Sequence, residues 1–203
     1  MKRISILLFL GLTLLNTSVF AQSVDSIFLK LQVPELSFLS KNNKLYLLDY
    51  INCGQVGTVE NLFLGKTSLT KKTTDYLHIE MSSVNCVDLI VLPREVGDTI
   101  VGIISTITEP IKESRMRFYS LDGVLLSVDF DLPSLNELIQ SECSHIKKDL
   151  FLKLQVTLNY LCDERILVCQ VSKNSFTIEE DKENDFVFKQ LRYKWNGHSF
   201  VIE

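Results

Sequence analysis

Apolar and polar positions alternate with a period of two over Tyr76-Leu77-His78-Ile79-Glu80-Met81, the signature of a strand with one buried face. Denser apolar runs follow. Val87 to Leu92 closes at Pro93, a residue that cannot donate to a ladder. Thr99 to Thr108 is dominated by Ile, Val and Thr, a β-branched density that predicts a central strand. Ser114 to Tyr119 alternates long cations with apolar side chains, a strand with one face in solvent. The spacing of about ten residues per strand leaves no room for crossover helices and predicts an antiparallel meander. Upstream, Val59 to Leu64 and Thr67 to Thr70 flank Gly65-Lys66 as a hairpin; downstream, Asp122-Gly123 turns the chain into a strand from Leu125 to Phe130.

Helical periodicity occurs at three places. Over Ser23 to Lys30 it puts Val24, Ile27 and Phe28 on one face, with Ser23 as cap. Over Asn42 to Asn52 it offers Leu45, Leu48 and Tyr50, with Asn42 or Asn43 as cap and Gly54 beyond the end. Asp131-Leu132-Pro133 starts a third helix, to about His145, with Leu135, Leu138 and Ile139 inward. After it, Leu150 to Leu161 alternates cleanly, Asp163-Glu164 turns, and Arg165 to Val171 returns. Phe176 to Ile178 and Phe186 to Phe188 flank the acidic Glu179 to Asp185, and Leu191 to Trp195 reaches Asn196-Gly197, a strong hairpin signal, before Ser199 to Glu203. The fold class is α+β: antiparallel sheet meanders with short helices, arranged as two helix-then-sheet halves, 22–130 and 131–203, sharing a core. In this reading the helices cover one sheet face and leave the other available.

Residues 1–21 form a secretory signal peptide: Lys2 and Arg3, an apolar centre from Ile4 to Leu15, and Ser18-Val19-Phe20-Ala21 ahead of a cut before Gln22. The apolar run is short of the roughly twenty residues that span a bilayer, and the mature chain carries no transmembrane segment. Taking Lys2 and Arg3 from 21 basic residues leaves 19 against 25 acidic ones, a net charge of −6. That balance disfavours nucleic acid and anionic membrane surfaces. The odd set Cys53, Cys86, Cys143, Cys162 and Cys169 leaves at least one thiol free, with any pairing undetermined. Cys86, Cys162 and Cys169 sit in or beside apolar runs and read as small buried hydrophobes.

Known chemistries fail on spacing. Gly65-Lys66-Thr67 lacks the glycine five positions earlier that a phosphate loop needs, because Glu60 stands there. His78, His145 and His198 are far apart and outside any metal pattern, with His78 outward on its strand. Cys143 and His145 do not face each other within a helix, and no Gly-x-Ser-x-Gly elbow occurs. Glu179 to Asp185 lacks the central glycine of a calcium loop. No cofactor, metal or catalytic residue is implied. Phe118, Tyr119, Tyr193 and Trp195 sit near strand ends and would form an aromatic recognition surface if one sheet face were uncovered; alternatively Trp195 anchors the core beneath its hairpin. The chain therefore reads as a non-enzymatic exported binding or interaction module for an envelope protein or a glycan. The alternative is a small exported hydrolase-like enzyme with scattered catalytic residues.

Asn61 to Leu69, Val91-Leu92-Pro93 with Gly97-Asp98-Thr99-Ile100, Thr106 through Pro110 to Ser114, Phe118-Tyr119 and Tyr193 to Val201 resemble an exported family of Bacteroidales bacteria, the domain of unknown function family 3256. Pro34 and Asn42 to Asp49 extend the similarity over nearly the whole mature chain. The resemblance implies an envelope or secreted location; it implies no activity and assigns no site residue.

Overall fold

The computed structural model describes residues 23–95, 97–138, 155–172 and 188–203. Helix α1 (Val24–Lys30) starts at Ser23, whose hydroxyl accepts from the Ser26 amide, and buries Val24, Ile27 and Phe28, as its periodicity predicts. Pro34 presets the backbone for a short 3-10 turn over Pro34–Leu36. Helix α2 (Lys41–Asn52) is capped by Ser40 rather than by Asn42 or Asn43. The Ser40 hydroxyl accepts from the Asn43 amide at 3.1 Å, and the Ser40 amide donates back to Asn43 Oδ1 at 3.0 Å, a reciprocal capping box. The buried stripe is Lys44, Leu47 and Leu48, continued by the partly buried Ile51. Leu45 and Tyr50 lie off that i, i+3, i+4, i+7 line and are exposed, which corrects two of the three residues expected on the inner face.

Seven strands follow in chain order and pair with their sequence neighbours, all antiparallel: β1 (Thr58–Glu60), β2 (Lys66–Lys72), β3 (Tyr76–Ser82), β4 (Asn85–Pro93), β5 (Thr99–Ile107), β6 (Glu113–Ser120) and β7 (Leu125–Leu126). The meander is the predicted one, except that the strand expected over Leu125 to Phe130 is two residues long and the run from Val59 to Leu64 is strand only as far as Glu60. Helix α3 (Leu135–Leu138) is the described part of the helix expected from Asp131. A second antiparallel sheet contains β8 (Val156–Leu161), β9 (Ile166–Val171), β10 (Leu191–Trp195) and β11 (Phe200–Ile202), again in sequence order. The signal peptide, the rest of the third helix with Cys143 and His145, the start of the Leu150 strand, and Phe176 to Val187 lie outside the described residues.

The alternation along each strand sorts the large sheet into two faces, and both are covered. Toward the helices point Leu77, Ile79, Leu89 and Ile103, packed with Phe28, Leu36 and Leu47. On the opposite face Ile90, Leu92, Ile100, Ile104 and Phe118 meet Leu158, Leu167, Cys169, Tyr193 and Phe200 of the second sheet. The result is three layers, helices on a seven-stranded sheet on a four-stranded sheet. The expected open sheet face is therefore corrected: the four strands from the second half cover it. Ile100 and Val101, and again Ile103 and Ile104, are buried as adjacent pairs, which is how a strand with two apolar faces reads. Cys162 and Cys169 are free buried thiols, while Cys86 is half-buried. No helix among the described residues is long and apolar enough to cross a membrane.

Candidate interaction surface

The β1–β2 connection is built around Asn61. Its buried amide nitrogen donates to Thr67 Oγ1 and to the Met81 carbonyl, each at 3.1 Å. Its Oδ1 accepts from the amides of Phe63 (2.9 Å) and Gly65 (3.1 Å), and its own amide donates to the Gly65 carbonyl at 2.8 Å. An asparagine that bonds backbone groups two and four residues on folds the intervening chain into a compact turn. The turn carries Leu62, Phe63 and Leu64, which are 63%, 73% and 80% exposed. Leu64 adopts φ 62°, a left-handed conformation that costs a residue with a Cβ about 1–2 kcal/mol, so the surrounding bonds hold it there.

Helix α2 and the residues just before it brace the same edge. Asn43 Nδ2 donates to the Glu60 carbonyl, and the Leu62 amide donates to the Phe38 carbonyl, each at 2.9 Å. The Phe63 ring stands edge-on to Phe38 with centroids 4.9 Å apart. The Tyr50 ring lies directly on Gly57, where a Cβ would sit 2.2 Å from it. Tyr46, one turn from each of Asn43 and Tyr50, and Val56 are exposed beside them. The whole is an apolar, aromatic margin along the edge of the large sheet. Sequence reasoning assigned Val59 to Leu64 to a strand and the turn to Gly65-Lys66; an Asn four residues before a Gly was the signal that the apolar triplet is itself the turn.

The four aromatics singled out in the sequence do not form a common exposed surface. Phe118 and Tyr193 are buried between the sheets. Tyr119, one residue on from Phe118, points to the other face, where its hydroxyl donates to Glu35 at 2.9 Å and 3.0 Å and Arg117 adds a 3.2 Å contact. Burial, then Glu35, pushes the Tyr119 hydroxyl pKa up. Trp195 is half-buried. It stacks on Phe118, stands edge-on to Phe200 with centroids 5.3 Å apart, and donates from its indole N–H to the Pro93 carbonyl at 2.6 Å. It anchors its hairpin to the large sheet, the alternative role for this residue.

One polar cluster interrupts the inter-sheet face. Strand register sets His78 opposite Asp88, and Asp88 Oδ1 meets both the Tyr76 hydroxyl and His78 Nδ1 at 2.6 Å. His78 is thus a half-buried partner of a buried carboxylate, not an outward surface residue. Its pKa is raised, chiefly by the Asp88 hydrogen bond. Cys86 lies two residues from Asp88 on the same face, yet burial and then the Asp88 charge push its thiol up. A cysteine nucleophile needs the opposite shift. The cluster satisfies a buried acid.

The fold has a solved counterpart. A domain of an uncharacterised protein from Porphyromonas gingivalis W83 superposes with a TM-score of 0.71, covering 89% of this chain and 97% of that one at 15% sequence identity, a likeness in fold. No curated protein matches the chain. Residues 16–200 match the model of the family described as "Protein of unknown function (DUF3256)", and the chain belongs to that family.

Proposed function

We propose that the protein works outside the cytoplasm as a non-enzymatic interaction module, and that the Leu62-Phe63-Leu64 tip, with Tyr46 and Val56 beside it, enters an apolar groove on an envelope protein. The observation that carries this reading is the tip: three successive large apolar side chains are held in solvent on a turn braced by a buried asparagine. Burying such a side chain yields about 1.5–3 kcal/mol, and a turn ordered beforehand loses little on docking. The basic head and apolar centre of residues 1–21 support export. The net charge of −6 that remains once Lys2 and Arg3 are removed from 21 basic and 25 acidic residues favours a protein over an anionic bilayer as partner.

The test uses the mature chain from Gln22 as bait on the envelope fraction of the source cells, beside a Leu62→Ser, Phe63→Ser variant. The expected result is one defined protein captured by the native bait and lost with the variant. Equal capture by both baits contradicts the assignment of the tip. Sedimentation of the native chain, and not the variant, with phosphatidylglycerol vesicles in place of protein capture would make the tip a membrane anchor and overturn the proposal.

A further inference from the structure

A second feature lies on the other side of α2. Between the end of α1, the Pro34–Leu36 turn and the first turn of α2 is a cavity of about 440 Å³, lined by Leu31, Val33, Leu36 and Leu39 together with Lys41 and Lys44. That volume falls within the range of small-molecule sites. Lys44 is 5% exposed. Its ammonium donates to the Leu31 carbonyl at 2.7 Å and lies 5.3 Å from the centre of the Phe28 ring. An ammonium has three N–H donors, and among the described residues no carboxylate pairs with this one. Burial brings its pKa down to about 8, the response of a cation that lacks a counter-charge.

A structural role accounts for part of this. Leu31 is the C-cap of α1, its amide donating to the Ile27 carbonyl at 2.8 Å, so its own carbonyl stands at the helix C-terminus, where a cation is favourable. That role uses one N–H and the charge; it does not account for the adjoining cavity, whose wall joins apolar side chains to Gln32, Ser37 and the two lysines. Lys41 lies one turn before Lys44 on the same side of the helix and lines the same cavity, so both ionisable groups at its wall are cationic.

We infer that this cavity binds a small apolar carboxylate, its hydrocarbon body against Leu31, Val33, Leu36 and Leu39 and its carboxylate at the Lys44 ammonium. An inorganic anion would leave the apolar wall unused, and a neutral alcohol of the same length would leave the buried cation uncompensated. The site stands independently of the Leu62-Phe63-Leu64 tip.

Octanoate is a suitable probe, with octanol and acetate as controls for its body and its charge. Titration calorimetry on the mature chain should give one saturable octanoate site, with octanol and acetate each at least ten-fold weaker. Lys44→Met, which keeps the stem, should weaken octanoate at least ten-fold. Methyl spectra of the native protein provide a reading that does not depend on the variant folding: octanoate, and not octanol, should shift the Leu31, Val33, Leu36 and Leu39 signals at saturation. No saturable binding by the native chain at millimolar octanoate, equal binding of octanoate and octanol, or a folded Lys44→Met variant that binds as the native chain does would each overturn the inference.

Discussion

Asn61 shows how much one polar side chain can determine. Its side chain serves two donors within the β1–β2 connection and two acceptors on β2 and β3, and leaving such groups buried without partners costs about 1–3 kcal/mol. Asn61→Ala is expected to lower stability by about 2–3 kcal/mol in urea unfolding. Leu64→Gly should be close to neutral, because relieving about 1 kcal/mol of left-handed strain is offset by a similar gain in unfolded-chain freedom; the same change should still weaken partner capture. His78 yields a pH prediction. Its folded pKa lies above the unfolded value near 6.5 because Asp88 accepts from the protonated ring. The pairing therefore contributes fully below about pH 6.5 and fades as pH rises through the folded value. The stability difference between native protein and His78→Gln should be larger at pH 5.5 than at pH 8.5, by urea midpoints; equal differences would show that the pair carries no linked proton.

The elements were legible where one principle acted alone. Ser23 with its i, i+3, i+4 apolar face gave α1, and Asn196-Gly197 between alternating runs gave the β10–β11 hairpin, whose turn is closed by Asn196 Oδ1 accepting from the His198 and Ser199 amides. They were less legible where two principles competed. At α2 the capping box at Ser40 and Asn43 outcompeted the asparagine caps, and the buried stripe runs through Lys44, a residue that apolar counting discards. Within the tip, apolar character suggested a strand, whereas the side-chain bonds of Asn61 dictate a turn. The β10–β11 hairpin carries its own test. Trp195 is the chain's only tryptophan, and it joins the two sheets through Phe118 and the Pro93 carbonyl. Its emission should shift to the red in a single transition together with far-ultraviolet dichroism, and Trp195→Ala should cost about 2–4 kcal/mol, below the fully buried range because the ring is half-exposed.

At the scale of the molecule, the sequence showed the α+β class and both meanders, because period-two alternation is a local property. It did not show which sheet face would be covered, since packing of one meander on another depends on contacts far apart in the chain. Phe118 and Tyr193, at hand as aromatics near strand ends, thereby became core, and the exposed apolar margin moved to the edge where α2 meets β1. The contact surface proposed for the protein is the Leu62-Phe63-Leu64 tip. The most direct measurement replaces Phe63 with a photoreactive benzoylphenylalanine in the source cells, with Lys194, exposed on the second sheet, replaced in parallel as control. One discrete cross-linked envelope protein is expected from position 63 on irradiation and none from position 194; no cross-link at 63, or the same adducts at both positions, would rule out the tip as the contact surface.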